Sequence, residues 1–257
     1  MLVKEFLDEL EKFAPLALQE DYDNSGIQIE GPNVDLTDVL VSLDPTSQAL
    51  KTAIANKCQM VLTHHPLLFK GVKRLTPKEP ISDIIYMTIM NGITLYSAHT
   101  NYDSTIGGLN DVLAKKLGMF NVVPLIPSAL KEGAGIGRVG EIEPSVDIRE
   151  FANLVKRVFE CRTVRLAPVG PHEVHKVAIC SGAGADFIET AKEAKADVYV
   201  TGDVKYHEVI KAINIGLSLV IVEHDESEKF FENEMVKFAE SFGIKALKYH
   251  ESFYMYL

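Results

Sequence analysis

The chain has 257 residues, 47% of them apolar, enough for one large domain or two small ones with a sizeable core. Its 26 basic and 36 acidic residues leave a net charge of −10, which repels a phosphate backbone, so nucleic acid is not an expected partner. No apolar run approaches the roughly 20 residues of a membrane helix. The start, MLVKEFLDELEKF, has acidic residues at amphipathic spacing in place of a signal peptide's basic start and apolar segment, so a soluble, cytoplasmic protein is expected. Cys58, Cys161 and Cys180 are scattered, which argues against a disulfide framework or a thiolate zinc site and for small apolar core residues.

Leu2, Phe6, Leu10 and Phe13 recur at helical spacing and predict a helix over 2–13, followed by Pro15. DYDNSGIQIEG (21–31) is turn-rich and leads into a short strand. DVLVSLDP predicts a strand ending at Asp44 and Pro45, and 46–57 a helix with Thr46 as N-cap. QMVLTHHP is the next strand, 78–92 a helix closing on Gly92, and ITLYSAHTNYD (93–103) a strand with a polar end. The second half repeats the alternation. HKVAICSGAGAD is a strand and turn, DFIETAKEAKA a helix, DVYVTGDVKYHE a strand and turn, KYHEVIKAINIG a helix ending on Gly216, and LSLVIVEHDESE a strand with a polar end. A helix around 229–242 and a strand near IKALKY finish the chain. The Gly- and Pro-rich stretch 120–145 is the expected lobe boundary, with an amphipathic helix over 146–159 after it.

The halves read as a repeat. Val39 and Val177 open the first strands and Met60 and Val198 the second, at the same offset of 138 residues. The third strands end in His, three residues, carboxylate: His99…Asp103 and His224…Glu228. The expected fold is α/β, with two similar α/β lobes (1–125 and 126–257) built from a duplicated β/α unit on mostly parallel or mixed sheets.

In open α/β sheets, ligands gather at the carboxyl ends of strands. Three such ends carry the same chemistry here: His64 and His65 in THHP, His99 and Asp103 in HTNYD, and His224 and Glu228 in EHDESE, with Asp225 and Glu226 between. If 224–228 is helical, His224 and Glu228 share a face. Imidazole nitrogen with carboxylate oxygen suits zinc, iron or manganese. Adjacent side chains on extended backbone diverge, so each histidine could anchor its own ion while a carboxylate bridges the two, roughly 3.5–4 Å apart. Singly, His-His-Pro reads as an ordinary loop and His-x-x-x-Glu as a helix face. Their joint occurrence at three strand ends favours a metal site.

THHPLLF, SAHTNYD, GDVKYHE and VEHDESE, in this order, resemble the motifs of the Nif-three-like family, whose members also go by GTP cyclohydrolase I type 2 homologues or dinuclear-metal hexameric proteins. DYDNSGIQIEG and GAGIGRVGEI fit the same pattern, so the resemblance spans nearly the whole chain. It implies two divalent ions per chain with His64, His65, Asp103, His224 and Glu228 as ligands, and His99 and His207 close by as catalytic or orienting groups. It also implies two α/β lobes with the metal site between them and a toroidal homohexamer. One departure is Glu223, where the family pattern has glycine before the last histidine. Between its halves the chain has no room for the large extra domain that longer relatives carry there.

Other signals are weaker. Lys70, Lys73, Arg74 and Lys78 follow the histidines and read either as a solvated loop or as a grip on substrate phosphates. In SGAGAD, Gly182 and Gly184 precede a helix, but Phe187 occupies the third fingerprint position, so a tight βα turn competes with an anion site. His207 fits a general acid or base, with Asp203 orienting it or meeting a metal-bound water, and reads equally as a helix-surface histidine. His172, His175 and His250 read as surface residues. No Gly-x-Ser-x-Gly or Walker loop indicates a covalent nucleophile or a P-loop.

The expected function is a dinuclear-metal-dependent hydrolase of a nucleotide or related phosphorylated small molecule, with His207 or His99 moving protons. The family name points to GTP ring opening by water at the purine C8, and a phosphoesterase or nucleotide pyrophosphatase fits the same residues. The alternative is a non-catalytic, ring-shaped metal carrier or protein-interaction adaptor.

Overall fold

Short, fully apolar strands separated by amphipathic helices leave few topologies open, because strands covered on both faces need helices on both sides. The computed structural model describes residues 1–76, 78–170 and 172–254. In chain order it contains α1 (Val3–Phe13), β1 (Gly26–Ile29), β2 (Asp38–Ser42), α2 (Ser47–Ala55), β3 (Met60–Thr63), α3 (Pro80–Met90), β4 (Thr94–Ser97), α4 (Thr100–Ser104), α5 (Leu109–Lys116), β5 (Phe120–Pro127) and β6 (Gly135–Asp147). There follow α6 (Ile148–Val158), β7 (Arg165–Ala167), β8 (Glu173–Ile179), α7 (Ile188–Glu193), β9 (Val198–Thr201), α8 (Tyr206–Asn214), β10 (Ser218–Ile221), α9 (His224–Glu228), α10 (Phe230–Ser241) and β11 (Lys245–Tyr249). Among the described residues, no helix is long and apolar enough to cross a membrane.

The chain forms two compact units: Met1–Tyr102 together with residues 229–254, and Asp103–Glu228. The first holds a sheet of order β1-β4-β3-β2-β11, in which β11, β2, β3 and β4 run parallel and β1 is antiparallel. Val39, Leu40, Val41, Met60, Val61, Leu62 and Leu95 are wholly buried, the pattern of strands covered on both faces. Leu40, Val61 and Leu95 pack against Ala49, Leu50 and Ala53 of α2, and α2 begins where the Thr46 hydroxyl accepts from the Ala49 amide at 3.0 Å. On the other side, α1 buries Phe6, whose ring lies 5.7 Å from Phe238 of α10, while Phe13 stacks on Phe238 at 5.5 Å.

The second unit holds a sheet of order β5-β6-β8-β9-β10-β7, with β8, β9 and β10 parallel and the other pairings antiparallel. Its core joins Ala178, Tyr199, Leu219 and Ile221 of the sheet with Ile188, Ala191 and Ala212 of the helices. Arg138 is buried at 1% exposure and paired with Asp111; its guanidinium also donates to the carbonyls of Gly135, Gly137 and Thr105.

The repeat is present in the topology. β1-β4-β3-β2 and β7-β10-β9-β8 have the same order, the same parallel triplet and the same antiparallel strand beyond it. The register agrees as well: Val39 pairs with Met60 and Met60 with Thr94, as Val177 pairs with Val198 and Val198 with Ser218. One expected correspondence shifts by a residue. α4 begins at Thr100 and α9 at His224, so Thr100 stands at the place of His224, and His99 precedes its helix where His224 opens its own.

Two expectations about organisation differ from the structure. The Gly- and Pro-rich stretch 120–145 is no linker but the hairpin β5–β6 at a sheet edge. Pro124 and Pro127 are tolerated because β5 is an edge strand, and Pro144 because it falls where the β6–β8 register is interrupted between Glu141 and Val146; glycine is required at 137 because a Cβ there would lie 2.8 Å from the Ile179 carbonyl. The compact units also depart from the expected contiguous lobes 1–125 and 126–257, because β11 pairs in parallel with β2 from Lys245–Asp38 to Tyr249–Ser42 and returns the C-terminal segment to the first unit. Strand β7, three residues long, carries too little pattern to be read from sequence.

Candidate metal centre

In the first unit the histidines sit where β3 ends. The amides of His64 and His65 donate to the Leu43 carbonyl at 3.1 and 3.0 Å, and the Thr63 hydroxyl donates to the His65 carbonyl at 2.8 Å. This knot holds two successive side chains at a strand terminus. His64 is buried, with its Nδ1 at 2.8 Å from the Ala98 carbonyl and its ring 5.0 Å from that of Phe231. His65 Nδ1 lies 2.8 Å from Asp44, and His99 Nδ1 2.7 Å from Asp23. The three rings lie 5.1–5.6 Å apart, and one nitrogen from each lies within 4.8 Å of the others. Asp23 also accepts from the Thr100 amide and from the hydroxyls of Thr100 and Ser25. Burial alone would push its carboxyl up, but His99 and these donors hold it far below the usual carboxylate range.

In the second unit α9 places His224 and Glu228 on one face as its i,i+4 spacing requires, with Nε2 and Oε2 2.9 Å apart. His224 Nδ1 lies 2.8 Å from Asp203. Burial pushes this imidazole down, but the Glu228 charge and the hydrogen bonds to both carboxylates outweigh it and raise it to about 11. The Ser227 hydroxyl donates to the His224 carbonyl at 2.8 Å and accepts from the Gly182 amide at 2.9 Å, tying α9 to the loop after β8. Asp103 is buried and accepts from the Ser181 hydroxyl at 3.2 Å, while Asn110 bridges the Asp103 carbonyl and the Ser181 amide.

These contacts settle the chemistry of the rings. A carbonyl or carboxylate oxygen can only accept, so each of the four Nδ1 atoms carries the hydrogen. In the neutral rings of His64, His65 and His99 the lone pair is then on Nε2, the form in which metal-ligating histidines are usually held, whereas His224, with Glu228 2.9 Å from its Nε2, holds a proton there as well, which a metal ion would have to displace. Glu228, buried beside the His224 ring, adds a carboxylate oxygen to such nitrogens, donor types that suit a divalent ion.

The structure sorts the sequence candidates. His64, His65 and His99 cluster in the first unit; Asp103, His224 and Glu228 belong to the second. His207 is exposed on the first turn of α8, edge-on to the Tyr206 ring at 5.5 Å. Asp203, expected to orient His207 or meet a metal-bound water, holds His224. Lys70, Lys73, Arg74 and Lys78 are exposed. Glu226 is committed elsewhere, accepting from the Arg162 amide at 2.9 Å. His250, read as a surface residue, pairs with the buried Glu232 at 3.0 Å. In SGAGAD, a Cβ at Gly182 would lie 2.1 Å from Glu228 Oε1, so this glycine admits the carboxylate. Asp23 and Asp44 join the site beyond the sequence candidates; their signals in the sequence are the motif DYDNSGIQIEG, which contains Asp23, and the strand end DP, which contains Asp44.

Fold and site together define a two-unit α/β protein with a histidine–carboxylate donor set able to hold a metal ion. The family described as Duf34/NIF3 (NGG1p interacting factor 3) matches residues 1–251, and the chain belongs to that family. It is 36% identical over 228 residues to a GTP cyclohydrolase 1 type 2 homolog of Clostridium perfringens, covering 89% of this chain and 87% of that one. It is 32% identical to NIF3-like protein 1 of Drosophila melanogaster, covering 88% and 77%. Reduced HcgD from Methanocaldococcus jannaschii is similar in structure, with a TM-score of 0.84 at 30% identity over 96% of this chain and 97% of that one. A Bacillus cereus protein related to NIF3 shares the fold, with a TM-score of 0.89 at 21% identity over 100% and 99%.

Proposed function

We propose that the protein is a dinuclear-metal-dependent hydrolase of a nucleotide or related phosphorylated small molecule, with His64, His65, Asp103, His224 and Glu228 as the ligands of two zinc, iron or manganese ions. The observation that carries this is the anchoring of all four imidazoles through Nδ1. When bound, such ions supply Lewis-acid activation of water and of a developing oxyanion. The chain's own groups do the rest. Asp44 and Asp203 fix the rings of His65 and His224, and Asp23 fixes that of His99, leaving its Nε2 to take up and return a proton. His207, exposed on the first turn of α8, serves as a second proton carrier. The name borne by the Clostridium relative supports GTP as the first substrate to test, with ring opening by water at the purine C8. We place the protein in the cytoplasm as a homohexamer, a reading that rests on the family resemblance.

The test is elemental analysis of untagged protein, followed by a screen of nucleotides, GTP first, for metal-dependent turnover. About two ions per chain and turnover that a chelator abolishes support the reading. Metal content near zero after incubation with zinc, manganese and iron would refute it. A second reading, a metal-binding adaptor for another protein, is favoured by the interacting-factor name of the family. Full metal loading without turnover of any nucleotide would support that one.

A further inference from the structure

Two aromatic side chains stand at the edge of the first unit's histidine cluster. Phe69 is 45% exposed and Tyr22 63% exposed. The Phe69 ring meets that of Tyr22 at 6.4 Å and that of His99 at 6.2 Å, both edge to face. The backbone that carries Phe69 is pinned to the turn that carries Tyr22. The Leu68 amide donates to the Gln28 side chain at 3.0 Å, the Leu68 carbonyl accepts from the Asn24 side chain at 2.9 Å, and Gln28 in turn donates to the Asn24 carbonyl at 2.7 Å. Asn24, Gln28 and Leu68 therefore form one hydrogen-bonded frame, two residues from Tyr22 and one from Phe69.

Large aromatic faces held toward water by a rigid backbone are costly to maintain, and they are what a planar ligand needs, since stacking on a fixed ring loses little entropy. Directly after Phe69 come Lys70, Lys73 and Arg74, all exposed, in a chain whose net charge is −10. A heteroaromatic ring answers the aromatics and a phosphate group answers the cations. We propose that Tyr22 and Phe69 form a stacking platform for the base of a nucleotide whose phosphates are held by Lys70, Lys73 and Arg74. This rests on the hydrolase reading and gives it a substrate class: the platform discriminates nucleotides from sugar phosphates, which offer no π face.

The experiment titrates metal-incubated protein of measured metal content with GTP and with inorganic tripolyphosphate by calorimetry. Wild type is expected to bind GTP more tightly than tripolyphosphate. Phe69→Ala and Tyr22→Ala should each weaken GTP about ten-fold and leave tripolyphosphate within about two-fold. Lys73→Gln with Arg74→Gln should weaken both ligands. Phe69→Leu, which keeps apolar bulk against His99 and removes the π face, should behave as Phe69→Ala, so that loss of stacking is separated from loss of packing. Equal wild-type affinity for the two ligands, absence of GTP binding, or unchanged GTP affinity in the aromatic variants overturns the platform. Low metal content with base-dependent GTP binding retained overturns the metal-centred reading and leaves the platform standing.

Discussion

Replacing Gly182 with alanine tests how the second unit's ligand pair is held. Gly182 has φ +59°, a region that costs an L-residue about 1–2 kcal/mol. Its added Cβ would also lie 2.1 Å from Glu228 Oε1 and 3.2 Å from His224 Nε2, so the buried carboxylate must turn away from the imidazole. Removing one partner of a buried pair costs roughly 3–5 kcal/mol, and a forced displacement should cost about half of that. Gly118→Ala is the control: φ is +71°, but nothing lies within 4 Å of the new Cβ, so only the backbone cost applies. At about 2–4 °C per kcal/mol for a chain of this size, Gly118→Ala should lower Tm by about 3 °C and Gly182→Ala by about 8 °C or more. Zinc affinity, measured by chelator competition, should fall about 10–100-fold in Gly182→Ala and stay unchanged in Gly118→Ala. Equal Tm losses with wild-type zinc affinity in both variants would show that the placement of Glu228 does not depend on this glycine.

Asp203→Asn, Asp44→Asn and Asp23→Asn keep an acceptor for each imidazole Nδ1 but remove the charge; Asp203→Asn and Asp44→Asn should each lower zinc affinity about ten-fold, whereas Asp23→Asn should lower turnover with metal content intact, and wild-type behaviour in all three would separate these carboxylates from the site. Arg138→Met removes the ion-pair partner of Asp111 and one donor from each of the Gly135, Gly137 and Thr105 carbonyls, and should cost about 3–5 kcal/mol, read as a fall in the urea midpoint. Burial pushes the Cys58 thiol up to about 11, so at pH 8 about one in a thousand carries the reactive thiolate. Because deprotonation is the step that burial opposes, labelling of native Cys58 should rise about ten-fold per pH unit from pH 8 towards 11; rapid labelling of the native protein at pH 8, where all three cysteines are buried, would refute it.

What the sequence determined by itself was local and periodic. Fully apolar runs such as those around Val39, Met60 and Val198 announce strands covered on both faces, the Thr46 cap announces α2, and the strand-end histidines announce the chemistry, because each depends on neighbours a few residues away. Even the duplication was legible, since the constant offset between Val39/Val177 and Met60/Val198 is the register of the two sheets. What only the tertiary structure decided depends on residues far apart in the chain. The return of β11 to β2 joins Lys245 to Asp38, and backbone pairing of that reach leaves no mark on local pattern. The hairpin over 120–147 reads as a lobe boundary from sequence because what constrains Gly137, the approach of the Ile179 carbonyl, lies on another strand. The pairing of Asp23 with His99 and of Asp44 with His65, across 76 and 21 residues of chain, and the commitment of Asp203 to His224 in place of His207 came only with folding. A carboxylate that orients a ring needs only to reach one nitrogen, and no spacing rule constrains where in the sequence it stands.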